Sequence, residues 1–182
     1  MSSNEGEDEE RTHTTLPRAD FIEDVESYIA GSTVEEAIQK LRQHHELYST
    51  AQQRLATQRA RFMQKGPEIK ATLSAVQLLT RQREKQETAT FDFELTEEVF
   101  AKARVKPVDA VNLWLGANVM LEYTLEDATH LLESNLSVCL ENLKSTESSL
   151  DLIKDFLTTT EVNIARLYNF EVLQRKQKKD VS

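Results

Sequence analysis

The chain has few residues that turn or break a backbone. Its 182 residues include only 4 glycines and 3 prolines, and these two residue types mark most tight turns. A chain with so few turning points is predicted to form a small number of long elements. It is not expected to fold as an ordinary globular domain of many short ones.

Cysteine and long apolar runs are scarce as well. Cys139 is the only cysteine, which excludes an intramolecular disulfide and is typical of a reducing compartment. No apolar run approaches the ~20 residues needed to span a bilayer. The acidic, polar N-terminus does not resemble a secretory signal. We therefore expect a soluble protein with no membrane partner. Its expected location is the cytoplasm, with the nucleus as an additional alternative.

Positive charge is in deficit. The net charge is −9, so phosphate backbones would be repelled and no nucleic-acid partner is expected. The basic residues concentrate in the first long helix and the acidic ones in the second. Mutual attraction between these helices explains that distribution better than nucleic-acid binding does.

What the chain has instead is an apolar residue at every seventh position over two long stretches. The first run is Leu41, Tyr48, Leu55, Phe62, Ile69 and Val76, and the second is Leu136, Leu143, Leu150, Leu157 and Ile164. A heptad period keeps one stripe of a helix facing a partner helix. The sequence therefore predicts two coiled-coil helices, over residues 32–88 and 124–176.

The two runs also predict an antiparallel register. Apolar residues of the two helices face each other when Tyr48 is placed opposite Ile164. The same register places Gly66, in one of the alternate layers, opposite Thr146. A shift of seven residues would keep the same phase. In this register His45 faces Leu167. Polar groups weaken a seam, so we expect the end of the coil near these residues to fray.

Local signals set the remaining boundaries. Ser32 to Glu35 and Thr124 to Asp127 have the pattern of helix N-terminal caps, and an interior proline, Pro67, predicts a kink or bulge. The full division is a disordered acidic tail (1–17), a short amphipathic helix (18–31), helix one (32–88), two hairpins (89–123), helix two (124–176) and a disordered tail (177–182).

The middle segment alternates apolar and polar residues with the period of β-strands. Four strands joined by short turns predict two β-hairpins that carry apolar residues on both faces and leave open edges. Such a surface requires partners. The residues expected to form this subunit interface are Val99, Val105, Val111, Leu113, Trp114, Leu115, Val119, Met120 and Leu121.

No group of residues indicates catalysis. His44 and His45 are adjacent on a helix and point about 100° apart, so they are poorly placed to share a metal ion. Cys139 lies at a heptad position and is expected to be a small buried hydrophobe. We predict no enzyme activity, no metal and no cofactor.

Three stretches resemble one known family. Residues 113–123, Leu-Trp-Leu-Gly-Ala-Asn-Val-Met-Leu-Glu-Tyr, are similar to the second hairpin of prefoldin α-class subunits. Residues 21–25 and 158–169 are similar to one eukaryotic α-class member. The fold expected is mainly α: a long antiparallel two-helix coiled coil with two β-hairpins inserted between the helices.

The resemblance implies a subunit of a hexameric, ATP-independent chaperone. Its partners would be one further α-class and four β-class chains, joined through the hairpins. The arms would bind unfolded actin and tubulin and deliver them to the cytosolic chaperonin. The alternative is a structural coiled-coil scaffold or tether, which would not account for the hairpins.

Client binding is expected at the tip of the coil, where helix one begins and helix two ends. Fraying there would expose apolar side chains that hold scattered apolar groups of unfolded chains. The residues predicted for this tip are Ile38, Leu41, Tyr48, Leu167, Tyr168 and Phe170.

Overall fold

The computed structural model describes residues 16–180 and is mainly helical. Its helices are α1 (Val25–Tyr28), α2 (Val34–Lys85) and α3 (Leu125–Asp180), and its strands are β1 (Ala89–Thr96), β2 (Val99–Val105), β3 (Ala110–Gly116) and β4 (Val119–Thr124). The predicted fold class is confirmed. The predicted tails lie outside the described residues except at 16–17 and at 177–180, where α3 continues.

The short amphipathic helix predicted over residues 18–31 is wrong in extent. Only Val25–Tyr28 is helical, and Asp24 caps it by accepting the N–H of Glu26 at 3.0 Å. Residues 16–24 are irregular, because side chains of the coil bind their backbone groups, as described below. Gly31 ends the segment with a φ of +106°, a conformation that glycine adopts without strain.

Both long helices begin at capping residues. Thr33 Oγ1 accepts the Glu36 N–H at 3.2 Å, and Glu36 Oε2 accepts the Thr33 N–H at 3.0 Å, which is a capping box. The sequence prediction placed this box one residue too early, because the Ser32 N–H is already bonded to the Ile29 carbonyl at 2.9 Å. The predicted cap at Thr124 is correct, since its Oγ1 accepts the Asp127 N–H at 3.1 Å.

The chain divides into two compact units. The hairpin unit is residues 61–143, and the terminal unit combines, among the described residues, 16–60 with 144–180. In the hairpin unit, α2 and α3 enclose a core with strand β3, made of Leu73, Val76, Leu113, Leu125, Ala128 and Leu132. Leu125 and Ala128 are fully buried there.

Both units show that the register differs from the predicted one by a heptad. Gly66 lies against Cys139, where an added Cβ would be 4.0 Å from the thiol sulfur, whereas the prediction placed Gly66 by Thr146. In the terminal unit His45 Nε2 lies 3.0 Å from Glu161 Oε1, and Leu167 packs with Leu41 rather than with His45. A shift of seven keeps every apolar layer apolar, so heptad phase alone could not detect it.

α2 continues without a break through Pro67, where a kink or bulge was expected. The Cys139 thiol lies 3.7 Å from the Phe62 carbonyl oxygen, to which it donates a weak hydrogen bond. The carbonyl that Pro67 leaves without a helical N–H is that of Met63, so this contact packs α3 against the same turn without replacing the missing hydrogen bond.

The four strands form two separate two-stranded antiparallel sheets, β1 with β2 and β3 with β4. Ala117 and Asn118 join β3 to β4 with φ values of +47° and +60°, the conformation of the turns that best match strand twist. The two predicted hairpins are thus confirmed.

Arg83 ties the end of α2 to the start of α3. Its guanidinium contacts the Glu126 carboxylate and lies 3.9 Å from the Asp109 carboxylate. The hydrogen bond from Arg83 lowers the pKa of Glu126. Because the backbone N–H of Leu125 also donates to the Asp109 carbonyl at 3.3 Å, the loop between the hairpins is fixed to both helices.

The core of the hairpin unit can be tested with two leucines of α3. Leu132→Ala removes a side chain that is 8% exposed and should lower the free energy of unfolding by about 2–5 kcal/mol. Leu140→Ala, at a position that is 53% exposed, should change it by less than about 0.5 kcal/mol. Urea unfolding followed by helical circular dichroism measures both. Equal losses would contradict the placement of Leu132 in the core and of Leu140 on the surface.

Gly66 offers a stabilising change. Glycine in a helix interior costs about 0.5–1 kcal/mol relative to alanine, and the added methyl meets only ordinary contact with Cys139. Gly66 precedes Pro67, whose ring disfavours the α conformation of a preceding residue that has a Cβ. In a Pro67→Ala background Gly66→Ala should therefore raise the melting temperature, while Ala71→Gly, on an exposed turn of the same helix, should lower it by a similar amount. A Gly66→Ala variant that is destabilised in that background would show that the helices pack more closely here than the structure has them.

Candidate functional site

The hairpins carry a large exposed apolar surface. Six of the nine predicted interface residues are exposed by 43–59%: Val99, Trp114, Leu115, Val119, Met120 and Leu121. Val105 and Val111 are half-buried. Monomeric proteins rarely expose contiguous apolar area of this kind, so the hairpins have the character of an interaction surface.

Leu113 is the exception among the predicted interface residues. It is 8% exposed and belongs to the core of the hairpin unit. Strand alternation placed it on the aliphatic face of β3, but could not tell that the two helices of the same chain cover that face at this point. Leu113 therefore anchors the hairpin to the coil.

Sequence reasoning left three exposed residues of the first hairpin out of the interface. Phe93, Leu95 and Phe100 are 62%, 64% and 59% exposed. Phe93 faces Ala101 across the sheet and Phe100 faces Glu94, so both faces of this hairpin carry an aromatic ring. The signal was present in the strand alternation, because Phe93 and Phe100 lie on opposite faces of one hairpin and a single helix pair cannot cover both faces.

On the outer face of the second hairpin, Trp114 lies directly opposite Met120. Both are more than half exposed. Methionine sulfur and an indole ring make favourable contacts, and aromatic and methionine side chains are enriched at protein interfaces. This pair is the most distinctive apolar feature of the hairpin surface.

The hairpin strands also present unpaired backbone edges. Within residues 16–180 each sheet has only two strands, so every strand has one free edge. An isolated two-stranded hairpin is marginally stable in water, and free edges are templates for further strands. Both properties favour a surface that is completed by other chains.

The second candidate surface lies in the terminal unit, where the tip was predicted. Four of the six predicted tip residues are buried: Ile38, Leu41, Tyr48 and Leu167, at 9% exposure or less. Phe170 is partly buried against the same cluster, while Tyr168 is 59% exposed. The apolar residues that fraying would have exposed are therefore covered.

The cover is the segment formed by residues 16–24, which we call the strap. Ile22 is 6% exposed in one cluster of the coil, and Leu16 and Ala19 pack against the cluster around Tyr48. The cluster around Tyr48 includes Phe156, whose ring is tilted against that of Tyr48 with the ring centres 5.5 Å apart. The strap closes the groove between α2 and α3 in this unit.

Side chains of the coil bind the strap through its backbone. Asn163 accepts the Ile22 N–H at 2.9 Å and donates to the Asp20 carbonyl at 2.8 Å. The Tyr48 hydroxyl donates to the Pro17 carbonyl at 2.5 Å, and Arg166 donates to the Glu23 carbonyl at 2.9 Å. Asn163 is 1% exposed and Tyr48 is fully buried, so each of these polar groups depends on the strap for its partner.

The described residues were also compared with the arrangements that hold metal ions. Among residues 16–180 no three His, Cys, Asp or Glu side chains come together as metal ligands. His45 pairs with Glu161, whereas the His44 ring lies 6.3 Å from that of Tyr48. In the same part of the chain no helix is long and apolar enough to cross a membrane.

Comparison with known proteins places the chain in a family. The prefoldin subunit family matches residues 48–170. Mouse prefoldin subunit 3 is 40% identical over 170 residues, which cover 92% of this chain and 87% of the mouse protein. The Drosophila melanogaster prefoldin subunit 3 is 36% identical over 170 residues, with 92% and 86% covered. The chain therefore belongs to the prefoldin family of chaperone subunits.

This finding confirms the resemblance inferred from the sequence, including its eukaryotic branch. Human prefoldin subunit 3 gives the same 40% identity over 92% of this chain and 86% of its own. A chain from the cryo-EM structure of filamentous PFD from Methanocaldococcus jannaschii is 20% identical, covering 78% of this chain and 98% of its own, with a TM-score of 0.26.

Tyr48 provides a test of strap docking. Burial raises the pKa of Tyr48, and the negative charge of Asp20 adds to this effect. A group whose pKa is raised in the folded state stabilises that state at pH values below its unfolded pKa, which is near 10 for tyrosine. This stabilisation is lost as the pH rises through the folded-state pKa. With Tyr28, Tyr123 and Tyr168 replaced by phenylalanine, tyrosinate absorbance should appear at higher pH in the native chain than in urea.

Asp20→Asn provides the control for this titration. It removes the nearby charge and should lower the native pKa of Tyr48 part of the way toward its unfolded value. Identical titration curves in native buffer and in urea would mean that the strap does not cover Tyr48.

Proposed function

We propose that this chain is one α-class subunit of a hexameric, ATP-independent chaperone, assembled through its hairpins with one further α-class and four β-class chains. The complex binds unfolded proteins, with actin and tubulin chains as the expected clients, and delivers them to the cytosolic chaperonin. It acts in the cytoplasm. The chain itself has no enzymatic role and requires no cofactor.

The observation that carries this proposal is the exposed hairpin surface. Two separate two-stranded sheets with free edges and more than six large exposed apolar residues are poorly stable alone. Burying that surface against neighbouring hairpins removes apolar area from water at about 25 cal/mol per Å². It also pairs the free strand edges. Family membership supplies the kind of neighbour: other prefoldin subunits.

The terminal unit supports the client-binding part of the proposal. Its exposed apolar residues include Tyr168 at 59% and Leu173 at 58%, both on the last turns of α3. Each offers only weak contact to an unfolded chain. Several arms acting on one client would raise the overall affinity through effective concentration.

The alternative, a structural scaffold or tether, is less well supported. A tether needs the long helices but has no use for Trp114 and Met120 on an open hairpin. The two functions differ in what the isolated chain does, because a tether is stable alone and a chaperone subunit is not.

Assembly can be tested by placing charge on the hairpin surface. Trp114→Glu with Met120→Glu puts two carboxylates where an apolar contact is proposed, at side chains that are 59% and 54% exposed. Co-expressed with the other subunits, this variant should be missing from the hexamer in native mass spectra, because burying unpaired charge is costly. The wild-type chain should be present as one of six.

Val138→Glu with Leu140→Glu is the matched control. These two residues of α3 are 52% and 53% exposed, so the change in charge and exposure is nearly the same but lies off the hairpins. This variant should assemble normally. A wild-type chain that stays monomeric and monodisperse among candidate partners would exclude the platform role and favour the tether.

A further inference from the structure

The strap is held in a way that does not depend on its sequence. Of the hydrogen bonds that the coil makes to residues 16–24, those from Tyr48, Asn163 and Arg166 all reach backbone N–H or carbonyl groups. Every polypeptide carries these groups. Asn163 makes the most complete contact with the backbone, because its amide donates a hydrogen bond to one peptide group of the strap and accepts one from another.

These contacts require an occupant that is not helical. The bonded groups belong to Pro17, Asp20, Ile22 and Glu23. In a helix each of these groups would instead bond to another backbone group of the same segment, since each N–H pairs with the carbonyl four residues before it. The groove therefore selects a backbone whose hydrogen-bonding groups are unsatisfied, which is a property of unfolded chains.

The apolar contacts of the groove are equally permissive. Leu16, Ala19 and Ile22 enter it at every third position, and they differ widely in size and shape. The Phe21 ring, by contrast, is half exposed and stacks 4.8 Å from the Arg166 guanidinium carbon. An apolar side chain at each third residue is a weak requirement that many sequences meet.

The strap fits this groove imperfectly. Arg166 Nε is buried, yet it has no hydrogen-bond partner among the described residues. Ile22 is the one residue of the strap that is fully buried; its neighbours are half-buried or exposed. The strap is, however, tethered to α2 through residues 25–33, so its high effective concentration compensates for weak contacts. A tethered, imperfect ligand is suited to reversible occupancy.

We propose that the groove under residues 16–24 is a binding site for an extended segment of a nonnative protein, recognised through its backbone, and that the strap is its intramolecular competitor. The strap keeps Tyr48, Asn163 and the apolar floor covered until a client segment displaces it. This inference rests on the proposed chaperone function and assigns a specific site to it.

The first test weakens the strap in the full-length chain. The probe is a fluorescein-labelled peptide with the strap sequence, residues 15–26, and binding is followed by fluorescence anisotropy. Ile22→Asp places a charge in the buried position and should increase probe affinity by about tenfold or more, because the competitor is removed. Tyr28→Asp, a similar change at a residue that is 41% exposed, should leave the affinity unchanged.

The second test examines the groove. Asn163→Ala, added to Ile22→Asp, should reverse the gain, because two backbone contacts are lost. A probe carrying N-methylisoleucine at position 22 lacks the N–H that Asn163 accepts and should bind about tenfold more weakly. A probe with valine at positions 16 and 19 should bind nearly as well as the original. Helical circular dichroism equal to wild type confirms that each variant is folded.

The inference is overturned if Ile22→Asp binds the probe no more tightly than wild type, or if Asn163→Ala and N-methylation have no effect. Suppression of unfolded-actin aggregation by the wild-type assembly is measured separately and tests the proposed function. Full suppression of actin aggregation, together with probe binding that Ile22→Asp leaves unchanged, would reject the groove as a binding site but support the proposed chaperone function. Strap-dependent probe binding without suppression would reject the chaperone function while showing that the groove binds peptide.

Discussion

The structure depends on the apolar seam between two antiparallel helices of one chain. In the hairpin unit that seam continues into the strands through Leu113, which packs with Leu125 and Leu132. In the terminal unit it leaves a groove that the chain covers with its own residues 16–24. The same heptad pattern therefore positions both candidate surfaces, and the polar contacts made by Arg83, His45 and Asn163 fix details that apolar packing alone leaves free.

Periodicity predicted most of the fold. Strand alternation located both hairpins within a residue or two, and the heptads located both long helices. The register was missed by one heptad because seven-residue shifts preserve every apolar layer, and only specific neighbours such as Gly66 with Cys139 distinguish them. The helical spacing of apolar residues also favoured a helix for residues 18–31, but the tertiary contacts of the strap prevailed.

The candidate sites were predicted unevenly for a physical reason. Exposure of Trp114 and Met120 follows from local alternation, so it could be read from sequence. The strap could not, because its contacts join Ile22 to Asn163, 141 residues apart, through backbone atoms that every residue has. The available signal was Asn163 itself, a polar residue directly beside Ile164 in the second heptad run. It marked a position where a polar partner had to come from outside the two helices.

Trp114 is the only tryptophan in the chain, and it stands 59% exposed on the outer face of a hairpin. Indole emission moves to shorter wavelength when the ring leaves water. Any partner that covers this face therefore changes the intrinsic fluorescence of the unlabelled protein. The surface proposed for assembly thus carries its own optical reporter, and the kinetics of its association with partners are accessible without a label.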